Sequence, residues 1–280
     1  MFQLAIYGKG GIGKSTLSAN ISYALAGKGM KVLQIGCDPK HDSTRLLLNG
    51  KTQNTVIDYL RTVPMERRNL DDVVSIGSGN VHCIEAGGPE PGVGCAGRGI
   101  LTMLDFLEKN GLNEIDFDIR LYDVLGDVVC GGFAVPLRKN YADAVYIVTS
   151  GEFMSLFAAN NILKGLRNYD DGRPRVGGLI LNRRGLDGEY NHVKNFADGV
   201  GLPIVSCINR GPLFAEAESK GKTVMELFPD SDAASAINII AEDIIQKNNG
   251  CGQLYYPNPL DDEFMDLIAS GTPLDDGQIV

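Results

Sequence analysis

Tryptophan is absent from the 280 residues, and there are only three histidines. His41, His82 and His192 share no metal-binding spacing, which excludes a histidine-built metal centre, and no Ser/His/Asp or paired-carboxylate hydrolase arrangement is legible. Positive charge is in deficit, with 26 Lys and Arg against 35 Asp and Glu, a net −9. Nucleic-acid binding depends on lysine and arginine neutralising phosphates, so a chain without a basic stripe is not expected to have nucleic acid as its main partner. No apolar run approaches a signal h-region or a membrane span, which predicts a cytoplasmic protein that does not engage the membrane. Repeats, low-complexity tracts and linkers are also missing. In the cytoplasm, six cysteines read as thiols or metal ligands rather than a disulfide framework.

What is present begins at the phosphate loop. Gly8-Lys9-Gly10-Gly11-Ile12-Gly13-Lys14-Ser15 fills the pattern G-x-x-x-x-G-K-S/T, directly after the apolar run Leu4 to Tyr7 and before a helical stretch from Thr16 to Ala26. Glycines let successive backbone N–H groups turn toward phosphates, Lys14 reaches the β and γ oxygens, and the Ser15 hydroxyl ligates Mg²⁺. The chain is expected to bind MgATP or another nucleoside triphosphate. Lys9, a cation at the second position of the loop, is free to reach a nucleotide held by another copy, which predicts a dimer with facing nucleotides.

Strand-like runs then alternate with helical ones. Strands are expected at Lys31–Gly36, Val81–Glu85, Ile119–Asp123, Ala144–Thr149, Val176–Leu181 and Pro203–Ser206. Helices are expected near Gly99–Lys109, Phe153–Leu166, Glu189–Val200, Leu213–Gly221 and Asp232–Asn248. This is the pattern of an α/β fold of the P-loop NTPase type, a mostly parallel sheet with helices on both faces. A single domain over 1–249 accommodates it, 44% hydrophobic content being ample for one core. Residues 250–280, with Tyr255-Tyr256-Pro257-Asn258-Pro259 and an acidic tail, are expected to wrap a subunit or partner surface.

Carboxylates follow the phosphate loop in the order a nucleotide switch needs. Asp123 ends a strand, where a P-loop protein places the aspartate of the Mg²⁺ shell. Asp38 and Asp42 follow the Val32–Gly36 strand, in position to sense the γ-phosphate, with Asp38 a candidate to orient the attacking water. Asp127 comes four residues after Asp123. Any one of Asp38, Asp42 and Asp127 alone also suits a turn or helix cap; their shared location at strand carboxyl ends favours function.

Two cysteines stand apart from the others. Cys95 lies in the glycine-rich stretch Gly87–Gly99, and Cys130 in Gly126-Asp127-Val128-Val129-Cys130-Gly131-Gly132. Glycine beside a thiolate lets backbone N–H groups approach sulfur, as around an anionic iron–sulfur cluster. Two ligands are half the set a 4Fe–4S cluster needs, and a symmetric dimer with the cluster on its axis supplies four. Buried apolar thiols are the alternative, and that is the reading for Cys37, Cys83, Cys207 and Cys251. Asp123, Asp127 and Cys130 share one short segment, which ties phosphate state to redox site.

The segments Gly8–Ser15, Gly36-Cys37-Asp38-Pro39-Lys40, Asp42-Ser43-Thr44-Arg45, Gly87–Gly99, Tyr122–Gly132 and Ala158-Ala159-Asn160-Asn161-Ile162 closely resemble the nitrogenase iron protein family, from about residue 2 to about residue 260. The resemblance implies a homodimer with one bridging 4Fe–4S cluster, MgATP in each copy, and one-electron delivery to a nitrogenase catalytic protein, with ferredoxin or flavodoxin as the donor. It carries over Lys9, Asp38 and Asp127 as catalytic and switch residues. Gly8 to Thr16, Lys40, Asp42, Asp123 and Asn182 become nucleotide-binding positions, Asn182 lying by the adenine. Cys95 and Cys130 become the cluster ligands. Arg98 matches a docking-surface arginine that is reversibly ADP-ribosylated in some members.

Two departures fall near the expected base. Asn209-Arg210-Gly211 stands where the family has Pro-Arg-Asp, and Ala215 replaces a glutamine. They leave open a nitrogenase-like reductase acting toward methylthio-alkane, tetrapyrrole or another substrate. A partitioning-type ATPase and an iron–sulfur carrier are more distant alternatives, because each leaves one of the motifs unused.

Overall fold

The computed structural model describes residues 1–88, 96–126, 141–169 and 172–269. In chain order the regular elements are β1 (Phe2–Tyr7), α1 (Lys14–Gly27), β2 (Val32–Cys37), α2 (Val56–Thr62), β3 (Ser75–Ile76), β4 (His82–Glu85) and α3 (Ala96–Lys109). Then come β5 (Ile119–Val124), β6 (Ala144–Thr149), α4 (Phe153–Asn168), β7 (Val176–Asn182), α5 (Glu189–Val200) and β8 (Ile204–Ile208). The chain continues through α6 (Pro212–Ser219), α7 (Val224–Leu227), α8 (Asp232–Asn248) and α9 (Asp262–Ala269).

The strands form one sheet in the order β3-β4-β2-β5-β1-β6-β7-β8. Every pairing is parallel except that of β3 with β4. A parallel sheet needs helices on both faces, so its strands read as unbroken apolar runs. β6 is buried at all six positions. Along β1, Ala5 and Tyr7 enter one core and Phe2, Leu4 and Ile6 the other, as the two-residue side-chain period requires. The first core is closed by α2, α3, α4, α5 and α9, the second by α1 and α8. The expected P-loop NTPase-type α/β fold with a mostly parallel sheet and helices on both faces is the fold observed.

Four of the elements named above were not anticipated. The strand β3 is two residues long and antiparallel, α2 and α7 are short, and α9 lies in the stretch read as an extension. Leu260 exchanges two backbone hydrogen bonds with the Asn160 side chain, at 2.8 and 2.9 Å, and Tyr255 bridges to Val176. Met265 and Ile268 of α9 join the first core. Among the described residues, no helix is long and apolar enough to cross a membrane.

The central strand β1 has β2 reached on one side across β5 and β6 on the other, so the connections diverge at its carboxyl end. Such a switch point opens a crevice for ligand.

Candidate nucleotide site

The loop from β1 to α1 takes conformations that side chains resist. Gly8, Gly11 and Gly13 have φ of 147°, 73° and 100°. A Cβ on Gly8 would stand 2.2 Å from the Val148 carbonyl oxygen of β6. Gly13 caps α1 without a side-chain hydrogen bond, so the helix N-terminus keeps its first N–H groups for a ligand. Lys14 is buried, and its ammonium donates to the Lys9 carbonyl at 3.2 Å, folding back over the loop. The Lys9 ammonium has no hydrogen-bond or ion-pair partner among the described residues.

A cavity of 220 Å³ opens against this loop. Lys14, Ser15 and Thr16 line it together with Asp38, Lys40, Asp42 and Asp123. Residues expected from distant parts of the sequence to serve one nucleotide therefore face one space. Asp123 is 2% exposed, and neither of its carboxylate oxygens has a hydrogen-bond partner among the described residues. Burial raises its carboxyl above the ordinary range, against the pull of the Ser43 and Ser15 hydroxyls and the Lys14 ammonium. An orphaned, desolvated carboxylate beside a phosphate loop is a fit for a divalent cation, which supplies the missing partner. Asp38 accepts its hydrogen bond from the Lys40 N–H at 2.9 Å, which shapes the turn at the cavity mouth.

A second cavity of 240 Å³ adjoins the far side of the loop. Asn182, from the end of β7, lies in its wall and donates to the Ile12 carbonyl at 2.7 Å. Leu17, Phe214, Gly211, Ala215 and Arg210 complete a pocket suited to a flat base. The two departures from the family pattern thus both face this pocket.

Sequence reasoning missed the residues that hold these walls. Glu189 at the start of α5 accepts N–H bonds from Gly151, Arg184, Gly185 and Leu186. Burial alone would raise its carboxyl, but those four donors bring it below the ordinary range. The loop it organises sends Arg184 to the Gly11 carbonyl at 2.6 Å. Glu85, fully buried at the end of β4, takes both the N–H and the hydroxyl of Thr44 at 2.7 Å on one oxygen. Its signal was a charged residue closing an apolar strand, the same signal that marked Asp123. For Glu189 no local signal existed beyond an acidic residue in a first helical turn.

The cluster candidates Cys95 and Cys130, and the switch candidate Asp127, lie outside the described residues. The donor set itself, two thiols in glycine-rich surroundings, suits half of a 4Fe–4S ligand shell. The segments leading toward them touch the nucleotide site: a Cβ on Gly126 would stand 2.5 Å from the Gly10 nitrogen, and one on Gly88 2.7 Å from the Pro39 Cβ. Arg98 sits exposed on the first turn of α3. Cys37 and Cys83 are buried, Cys207 is half-buried and Cys251 exposed. Burial pushes the Cys83 thiol up to about 12, and the Cys37 thiol also rises well above its ordinary value.

The fold is shared with the septum site-determining protein MinD of Pyrococcus horikoshii, solved with Mg-ADP, at a TM-score of 0.71 and 22% identity over 90% of this chain and 99% of that one. Sequence likeness runs elsewhere. The nitrogenase iron protein of Methanospirillum hungatei is 50% identical over 272 residues, 96% of this chain and 95% of its own. Nitrogenase iron protein 2 of Methanothermobacter thermautotrophicus is 48% identical over 265 residues, 94% of this chain and 95% of its own. The model of the 4Fe-4S iron sulfur cluster binding proteins, NifH/frxC family, matches residues 2–272, spanning the phosphate loop, both glycine-flanked cysteines and the base pocket. With that match added to the phosphate loop and the metal-ready carboxylate beside it, the chain belongs to the NifH/frxC family.

Proposed function

We propose that the chain is the ATP-hydrolysing reductase component of a nitrogenase or nitrogenase-like system, acting in the cytoplasm as a homodimer that delivers single electrons to a separate catalytic protein. Its cofactors are MgATP in each copy and one 4Fe–4S cluster per dimer, held by Cys95 and Cys130 of both copies. When bound, the cluster supplies a one-electron carrier. Ferredoxin or flavodoxin is the proposed donor, and the net charge of −9 favours protein partners over nucleic acid.

Asp123 carries the nucleotide part of this reading. Its oxygens have no hydrogen-bond partner among the described residues, and it lines the same cavity as Lys14 and Ser15. Lys14 and the α1 N-terminus hold the β- and γ-phosphates while Ser15 and Asp123 serve the Mg²⁺ shell. Asp38 orients water for attack on the γ-phosphorus, cleaving the bond to the β–γ bridging oxygen to give ADP and phosphate. Asp42 and Lys40 follow the phosphate state from the same loop. Lys9, without a hydrogen-bond or ion-pair partner among the described residues, extends to the nucleotide of the second copy. Asp127 and Gly126 transmit the phosphate state along the segment that leads to Cys130. Arg98, exposed, belongs to the face that docks the catalytic protein and is open there to ADP-ribosylation. Residues 250–280 form an extension of the 1–249 domain that wraps the subunit or its partner.

A second reading rests on Gly211 and Ala215, which remove two polar side chains from the base pocket and favour a nitrogenase-like reductase with another final substrate. Anaerobic acetylene reduction separates the two. Iron-loaded protein is mixed with MgATP, dithionite and a purified heterologous nitrogenase catalytic component. Ethylene that requires both ATP and this protein supports the nitrogenase reading. No ethylene from a cluster-loaded, ATP-hydrolysing dimer favours the other partner class, and a protein that binds neither iron nor MgATP refutes both.

A further inference from the structure

Between the nucleotide cavity and the root of the Cys95 stretch lies a set of contacts that the reading above does not use. In register across the sheet, Glu85 of β4, Gly36 of β2 and Asp123 of β5 stand side by side at the carboxyl edge. Gly36 has no side chain because none fits: a Cβ there would be 2.0 Å from Glu85 Oε2 and 2.7 Å from Ser43 Cβ. The empty position lets the Glu85 carboxyl reach over β2 to the loop that follows it. There Glu85 Oε1 receives the Thr44 N–H and hydroxyl, while Gln34 from β2 donates to the Ser43 carbonyl and hydroxyl oxygens at 2.9 Å. At the other end of the same loop Pro39 packs on Gly88, and Ala86 N–H bonds to the Gly36 carbonyl at 2.8 Å. The loop that carries Asp38, Lys40 and Asp42 is therefore fastened at both ends to residues 85–88.

We propose that Glu85 is a positioning residue, and that the Thr44–Glu85 and Pro39–Gly88 contacts form a second mechanical route from the phosphate site, running to the segment that leads in sequence to Cys95. The route through Asp123 and Gly126 serves Cys130; this one serves the other cysteine, so a change in the Asp38–Thr44 loop on nucleotide binding is felt by both ligand segments. The inference rests on the nucleotide reading given above. Glu85 touches no nucleotide in this scheme and acts only through Thr44.

Hydrogen–deuterium exchange of peptides covering residues 83–88 tests it, measured on the full chain with and without MgATP, beside calorimetric MgATP affinity. Wild-type protein is expected to bind MgATP and to change exchange in these peptides at least severalfold. Glu85→Ala, Thr44→Val and Gly88→Ala are expected to lose most of that response while MgATP affinity stays within about threefold. Glu85→Gln keeps an acceptor for both Thr44 donors and is expected to retain the response, which a loss from simple destabilisation would not predict. Thr44→Val and Gly88→Ala keep the test open should Glu85→Ala fail to fold. A full response in Thr44→Val and Gly88→Ala, or no response in wild type that binds MgATP, overturns the route. Wild-type protein that does not bind MgATP overturns the nucleotide reading itself and the route with it.

Discussion

Gly126 lies against Gly10: a Cβ added at 126 would stand 2.5 Å from the Gly10 nitrogen and 3.0 Å from its Cα. The neighbour is backbone, not a side chain that can swing aside. The turn after β5 and the phosphate loop are therefore in close backbone contact.

Replacement of Gly126 by alanine is expected to displace the phosphate loop and weaken MgATP at least tenfold, about 1.4 kcal/mol. Calorimetric titration reads the effect directly. An unchanged dissociation constant would show that the loop yields without cost and that the contact transmits nothing.

Glu85 sets a pH dependence whose sign follows from its burial. Its carboxyl is pushed up to about 8 by desolvation, with the Thr44 bonds pulling down and Asp123 and Asp42 adding to the rise; the ordinary value is 4.5. Between those values the folded chain holds a proton that the unfolded chain has released. Stability of the nucleotide-free protein falls as pH rises through that window and is highest on its acid side. Urea midpoints measured from about pH 5 to about pH 8 should decline, and Glu85→Gln should flatten the slope. A slope identical to wild type would place the titration elsewhere.

Phe214 lines the proposed base pocket beside Gly211. If its ring stacks on the base, Phe214→Ala should weaken ATP and ADP alike by about 1–3 kcal/mol, since the phosphates keep their contacts. Nothing lies within 4 Å of a Cβ at Gly211, so Gly211→Asp is accommodated without strain. It is expected to tighten nucleotide binding by restoring an acceptor. Fluorescent-nucleotide displacement checks both, and a weaker Gly211→Asp would mean that the pocket is fitted to its own smaller residues.

Glu189→Ala removes a buried carboxylate and strands the N–H groups of Gly151, Arg184, Gly185 and Leu186. A loss of roughly 3 kcal/mol is expected. Because the Glu189 carboxyl sits below its ordinary value, its contribution is present above the unfolded value of 4.5 and is lost as pH falls through the folded one. Thermal unfolding near neutral pH should show the deficit, and the deficit should shrink in acid. A constant deficit at all pH values would assign it to packing instead.

The sheet was legible because parallel strands are buried on both faces, so Ala144–Thr149 and Val176–Leu181 announce themselves as apolar runs. The phosphate loop was legible because its chemistry is local in sequence. β3 was not, since two residues carry no period. α2 and α7 did leave signals, Thr55 before Asp58 and Thr223 before Glu226, each side chain capping the N–H three residues on. Their shortness hid the helical period that would have confirmed them. The expected neighbours of the nucleotide, Asp38, Lys40, Asp42 and Asp123, meet in one cavity. Glu85 and Glu189 went unnoticed because their partners are backbone and hydroxyl groups far away in sequence, a relation that spacing cannot express.

The bond from Asn182 to the Ile12 carbonyl joins residues 170 positions apart, and Gly8 is seated against Val148. The phosphate loop precedes β6 and β7 in the chain, yet its shape depends on both of them. A fragment carrying the loop without β6 and β7 would display the signature of a nucleotide site and lack the walls that shape it.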